Sequence, residues 1–277
     1  MNQEESLPFI LYGTAWKEER TQALCYQALN AGFRGIDTAN QRKHYYEEGV
    51  GQGISQFLAQ SEVHREDLFL QSKFTYAQGQ DHRLPYDEKD SLTNQVKQSL
   101  ESSLQHLKTS YLNSYILHGP YSSQGLTEQD WEVWGAMEDL IRMGKVRHLG
   151  VSNVNFLQLK TLYLQAAIKP HFVQNRCFAV KLWDREIRQF CAEKKCIYQG
   201  FSLLTANYPY LAHAEIHEIC KKYNKTLAQV IFRFARDIGI LSLTGTTNVQ
   251  HMKDDLDTDS FALTPAEVAC IEEIALG

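Results

Sequence analysis

The chain is short of several features that would have pointed elsewhere. Its 277 residues include six cysteines, Cys25, Cys177, Cys191, Cys196, Cys220 and Cys270, and no two form a Cys-x-x-Cys pair. A disulfide-built secreted scaffold is therefore not spelled out, and these read as reduced, mostly buried thiols. No apolar run approaches the roughly 20 residues needed to span a bilayer. The opening MNQEESLPFILYG has no basic stretch followed by an apolar core, so no export signal is visible. Positive charge is not in excess either: the net charge is −5, and Lys and Arg are scattered rather than striped. That speaks against nucleic acid or a membrane surface as the main partner. No low-complexity tract or Pro/Gly/Ser-rich linker divides the chain. The expectation is a cytoplasmic protein with one domain over residues 1–277, a monomer by default because no heptads are seen.

What is present is an alternation. PFILYGTA has the look of a strand, and KEERTQALCYQALNAG of an amphipathic helix closed by Gly32. FRGIDTA precedes the helix EEGVGQGISQFLAQ. DLFLQSKF leads through a polar loop, residues 74–90, to a helix capped by Ser91. Further strand–helix pairs follow from LNSYILHGP, VRHLGVSN, PHFVQNRC, CIYQGFSL and ILSLTGTT, with a last helix from Pro265 to Ala275. Strands separated by helices of ten or more residues imply a parallel sheet. Eight such units predict closure into a (β/α)8 TIM barrel, an α/β fold whose functional face is the C-terminal rim of its strands.

Asp37, Lys73, His118, Asn153, Gln174, Phe201 and Gly245 close the second to eighth strands. So many polar strand ends suit a ligand lying across the barrel mouth. Asp, Lys and His at this rim, with Tyr45 beside them, have the chemistry to reduce a carbonyl. Hydride addition creates an alkoxide that must be protonated, and a tyrosine can supply the proton. An adjacent ammonium, Lys73, is expected to lower the phenol pKa, with Asp37 keeping that lysine charged and His118 orienting the carbonyl oxygen.

LYGTAW, GIDTA, EEGVGQGI, FLQSKF, YILHGP, GKVRHLGVSN, FVQN, GFSLL and LTGTTNVQHMKDDL, in that order and over nearly the whole chain, resemble the aldo-keto reductase family. The resemblance implies a (β/α)8 barrel that uses NADPH, with an Asp–Tyr–Lys–His tetrad at Asp37, Tyr45, Lys73 and His118. It further implies cofactor contacts at Thr14, Ser152, Asn153 and Gln174, an aromatic ring at Phe201 against the nicotinamide, and Ser202 and Leu204 beside the pyrophosphate. Gly245, Thr246, Thr247, Asn248, His251 and Asp255 fall in the phosphate and adenosine region, where free N–H groups at a helix start suit a phosphate. Trp16 is placed at the substrate.

The chain departs from the family pattern in places. The gap between Asp37 and the tyrosine is longer than usual and offers both Tyr45 and Tyr46, with Tyr45 preferred for its tyrosine–x–glutamate spacing to Glu47. Gly119 follows the histidine where an aromatic residue is common, which widens the pocket. Gly245 and His251 stand where a basic pair usually meets the adenosine 2′-phosphate, so NADPH is the expected cofactor and NADH is not excluded. The N-terminal hairpin and long C-terminal loop of the family are not expected.

Some motifs have plainer explanations. GVGQG at residues 49–53 mimics a dinucleotide fingerprint but follows no strand directly, so helix packing explains it better. His213, His217 and Cys220 share a helix face without a fourth ligand and are read as solvated, so no metal is assigned. The acidic run DDLDTD is read as a solvated turn. Two other functions stay in view: a non-catalytic NADPH-binding regulatory or sensor protein on this fold, and a Schiff-base aldolase or lyase using Lys73 as nucleophile.

Overall fold

Eight parallel strands close into a barrel in chain order in the computed structural model, which describes residues 7–276. They are β1 (Ile10–Gly13), β2 (Gly35–Asp37), β3 (Phe69–Phe74), β4 (Leu112–Leu117), β5 (Val146–Ser152), β6 (Phe172–Arg176), β7 (Ile197–Phe201) and β8 (Ile240–Thr244). Tyr12 pairs with Ile36 at one side of β1, and Ile10 with Ser242 at the other, which completes the ring. β3 and β4 are buried at all six of their positions, as strands covered on both faces must be. The expected (β/α)8 barrel is the observed fold.

The crossovers are α1 (Thr21–Ala31), α2 (Glu47–Leu58), α3 (Leu92–His106), α4 (Glu128–Arg142), α5 (Phe156–Gln165) and α6 (Arg185–Lys194). Between β7 and β8 stand α7 (Tyr208–Leu211), α8 (Ala214–Tyr223) and α9 (Leu227–Asp237); α10 (Val249–Leu256) and α11 (Pro265–Glu272) follow β8. Local chemistry sets their starts. Ser91 accepts from the Asn94 N–H to open α3, and Thr226 and Gln229 form a reciprocal capping box at α9. Gly32 closes α1 with a φ of 120°, which a side chain would resist.

Most of the apolar core lies between the strands and the helices. Inside the barrel a smaller layer of Leu11, Phe69, Ile116, Phe172 and Leu241 fills the lower half. This plug leaves only the upper half open to the rim.

The GVGQG run falls within α2, on its packed face. A methyl group on Gly51 would stand 2.0 Å from the His106 carbonyl oxygen, and one on Gly53 would stand 2.7 Å from that of Gln22. These glycines let α2 approach α3 and α1. Three sequence expectations need correction. The one-turn α7 was not anticipated, because Pro209 inside YPYL disguises it, and α11 stops at Glu272 rather than Ala275. DDLDTD is not simply a solvated turn: Asp255 and Thr258 in it are buried. Among the described residues no cluster of His, Cys, Asp or Glu is arranged to hold a metal, and no helix is long and apolar enough to cross a membrane. The first six residues, where an N-terminal hairpin was not expected, lie outside the described ones.

Candidate active site

Asp37 ends β2 and Lys73 stands one residue from the end of β3, so both side chains reach the barrel interior just below the rim. The Lys73 Nζ donates to Asp37 Oδ1 at 2.6 Å, to Oδ2 at 2.7 Å and to the Thr38 carbonyl at 2.8 Å. An ammonium has three N–H bonds, so all are engaged. Lys73 is fully buried, and burial holds its pKa below the ordinary lysine value despite the opposing pull of Asp37 and Glu47.

Beneath the pair lies a set of glutamines. Gln71 and Gln174 donate to Asp37 Oδ1 at 2.6 and 3.0 Å. Both also donate to the Gln199 oxygen, and Gln199 returns a bond to Gln71 at 3.0 Å. Three strands thus supply amides that close off the carboxylate from below. Gln71 and Gln199 were missed in the sequence. They share a strand face with Lys73 and Phe201, two residues earlier in each case, and that period of two was the available signal.

Tyr45 and His118 form the wall above the pair. Their ring centroids are 6.0 Å apart, edge to face, and Lys73 Nζ lies 5.4 Å from the Tyr45 ring centroid. His118 Nδ1 is 2.7 Å from the Thr75 hydroxyl. The His118 pKa is pulled down to about 3, first by burial, then by the charges of Lys73 and His44, so the ring is neutral at physiological pH. The phenol behaves differently from expectation: burial, reinforced by the Asp37 charge, raises the Tyr45 pKa well above its ordinary value. The expected lowering by Lys73 fails because that ammonium is already neutralised by Asp37 and has no N–H left for the phenol. Tyr46 lies elsewhere, with the Arg42 guanidinium 4.0 Å from its ring centroid, and does not line the cavity.

The longer gap after Asp37 places a further residue at the mouth. His44 lies against Trp16 with ring centroids 3.8 Å apart, and the Trp16 N–H donates to the His44 carbonyl. Trp16 is 71% exposed and Tyr208, which lines the same cavity, is 73% exposed. His44, Thr75 and Tyr208 were not anticipated from the sequence.

One cavity of about 1080 Å³ runs from Tyr45, His118 and Trp16 to His251 and Asp255. Ser152, Asn153, Gln174, Phe201, Ser202, Leu204, Gly245 and Thr246 all line it, as does Gly119. Asn153 and Ser202 hold φ values of 55° and 59°, and Asn153 donates to the His118 carbonyl at 2.7 Å. Four predicted residues do not reach the cavity wall, and Lys73, buried behind Asp37, is one of them. Thr14 is buried and donates to the Asp37 carbonyl, so it fastens β1 to β2. Asn248 caps α10 by accepting from the N–H groups of Gln250 and His251, and Thr247 is absent from the lining. Asp255 accepts from Thr244 at 2.7 Å, and burial raises its pKa to about 6.

The family model described as the Aldo/keto reductase family matches residues 10–276. The chain belongs to the aldo/keto reductase family. Membership makes it an NAD(P)H-dependent oxidoreductase of carbonyl compounds, with NADPH as the family cofactor. Among its relatives, a glyoxal reductase of Bacillus subtilis is 30% identical over 248 residues, covering 89% of this chain and 80% of that protein. An uncharacterized oxidoreductase of the same organism, YtbE, is also 30% identical, over 89% of this chain and 81% of its own length. The crystal structure of the Bombyx mori aldo-keto reductase AKR2E4 in complex with NADP superposes with a TM-score of 0.81, at 26% identity over 97% of this chain and 89% of that one. The cavity fits such a cofactor: its wall is continuous from Tyr45 and His118 to α10, and its volume exceeds that of a pocket for a small carbonyl alone.

Proposed function

We propose that this aldo/keto reductase reduces small or medium-sized aldehydes and ketones at the cavity mouth, with Tyr45 as the general acid. The observation that carries the reading is the meeting of Tyr45, His118 and Asp37 on one cavity wall, with Lys73 buried behind Asp37. Ser152, Asn153, Gln174 and Phe201 would hold the nicotinamide end of NADPH, and Gly245, Thr246, His251 and Asp255 the adenosine end. Bound there, the cofactor supplies the hydride.

The protein's own groups then handle the proton. A raised phenol pKa keeps Tyr45 protonated over the working pH range. An alkoxide is a stronger base than a phenolate, so transfer from Tyr45 to the nascent alkoxide runs downhill even from a raised pKa. Neutral His118, held through its Nδ1 2.7 Å from the Thr75 hydroxyl, leaves Nε2 to meet the substrate oxygen and orient the carbonyl in the tautomer that carries the proton there. Lys73, held by Asp37 with its Nζ 5.4 Å from the Tyr45 ring centroid, helps to position the phenol.

Loss of NADPH absorbance at 340 nm with methylglyoxal, a simple diketone and aromatic aldehydes tests the reading. The relative named glyoxal reductase makes the dicarbonyls the first choice. Tyr45→Phe is expected to lower kcat by about 10²–10⁴, the usual worth of a general acid, while Tyr46→Phe keeps most activity. The reverse pattern would sink the assignment of Tyr45. A second reading, a nucleotide sensor on this fold, is favoured by one observation: the Lys73 N–H groups are all taken by Asp37 and Thr38. Tight NADPH binding without turnover of any carbonyl would select it.

A further inference from the structure

Arg176 is the last residue of β6 and has no part in the chemistry described above. Alternate residues of a strand share a face. On β6, Phe172 belongs to the apolar plug inside the barrel, and Gln174 reaches Asp37 in the interior. Arg176 is the next residue on that face, about 7 Å nearer the mouth than Gln174 at the rise of a strand. The neighbouring strand end fixes which part of the mouth this is. Asn153 gives its side-chain N–H to the His118 carbonyl and its backbone N–H to the Gln174 carbonyl, so β6 ends close to His118 and Asp37. On its other side Arg176 is in register with Phe201, and its guanidinium carbon lies 5.6 Å from that ring's centroid.

Arg176 is the only arginine or lysine among the residues that line the cavity. Among the described residues no carboxylate pairs with its guanidinium and no hydrogen bond engages it, so its five N–H donors are open. The other ionisable groups of the wall are already engaged or uncharged. Asp37 is bound by Lys73, and His118 is neutral. On the α10 side Asp254 accepts from Gln250, and Asp255 accepts from Thr244. The mouth therefore carries one permanent, unpaired positive charge, on a planar fork that matches the two oxygens of a carboxylate. In a protein of net charge −5, this is the point of the cavity to which an anion would be drawn.

We propose that Arg176 determines substrate specificity: it receives a carboxylate carried by the carbonyl substrate while the carbonyl oxygen sits at Tyr45 and His118. The chain thereby favours oxo acids and formyl carboxylates over neutral carbonyls of the same shape. The inference rests on the reductase reading above and narrows its substrate class.

Paired substrates test it. 4-Carboxybenzaldehyde and 4-oxobutanoate are each compared with their methyl esters, which keep the shape and remove the charge. NADPH consumption is followed for the wild type, Arg176→Gln and Arg176→Lys, and NADP⁺ binding is measured by calorimetry for the same three proteins. Arg176 is exposed, so none of these substitutions disturbs the core.

The wild type is expected to show a KM for each acid about tenfold or more below that of its ester, as a charge-assisted, two-point contact implies. Arg176→Gln should erase that preference by raising KM for the acids alone. Its kcat values, its KM for the esters and its NADP⁺ affinity should move by less than about threefold, and Arg176→Lys should keep part of the preference. No preference in the wild type, or equal loss for acid and ester in Arg176→Gln, would overturn the proposal. A fall in NADP⁺ affinity matching the loss for the acids would also overturn it, because Arg176 would then serve the cofactor. If the wild type reduced no carbonyl at all, the reductase reading would fall. The anion site would still be decided by calorimetry of 4-(hydroxymethyl)benzoate with the NADP⁺ complex: binding lost in Arg176→Gln would uphold it, and binding absent from the wild type or unchanged in the variant would overturn it.

Discussion

Lys73 and Asp37 form a buried pair whose members depend on each other. Lys73→Met would leave an ionised carboxylate facing amides alone, and removing one partner of a buried pair costs about 3–5 kcal/mol. Urea unfolding should show that loss for the single variant and a smaller one for Asp37→Asn/Lys73→Met, in which no charge is stranded. Equal losses would mean that Asp37 is fully compensated by Gln71 and Gln174. At this scale the sequence was legible where a chemically distinctive residue stood at or next to a strand's end, as with Asp37, Lys73 and His118. It was not legible where partners came from different strands. Thr75 on His118, Gln199 beneath Asp37 and the saturation of the Lys73 donors are properties of closure, and closure sets which way the Tyr45 pKa moves.

Among the elements, α2 shows how a motif that suggests nucleotide binding is used for packing. Gly51→Ala would drive a methyl group against the His106 carbonyl oxygen at 2.0 Å, and backbone cannot swing aside as a side chain can. The expected loss is about 1–3 kcal/mol, toward the upper end. Gly135 in α4 is the contrast: a Cβ there meets nothing within 4 Å, so Gly135→Ala should stabilise by up to about 1 kcal/mol through helix propensity. Thermal melts of the two variants shifting in opposite directions would check both. Apart from the one-turn α7, strand and helix order was legible, because apolar strands alternated with amphipathic helices whose caps stood in plain view, such as Ser91 before α3. The ends were less so, and α11 stopped one turn early.

The whole molecule carries a carboxylate it would rather not ionise. The Asp255 pKa is raised to about 6 by burial, so the folded chain holds that proton more tightly than the unfolded chain does. Stability contributed by the neutral acid is present below the unfolded value near 4 and falls as pH rises from about 4 to 6, beyond which it is flat. Asp255→Asn should therefore stabilise by about 3 kcal/mol at most at pH 7, from roughly two pKa units, and by little at pH 4. Denaturant titrations at the two pH values would show the difference; equal gains at both would refute the linkage. The barrel itself was readable from eight repeated units, whereas the run holding Asp255 was misread because only the folded loop buries it.

The glutamine layer has one more consequence at this scale. Asp37 and Gln71 belong to the first four strands, Gln174 and Gln199 to the last four, and the Gln174–Asp37 and Gln71–Gln199 bonds join the two sets across the barrel interior. Cut between β4 and β5, each half would keep its internal bonds but lose those that join it to the other. The two pieces would be complements rather than independent modules, each a template on which the other must assemble.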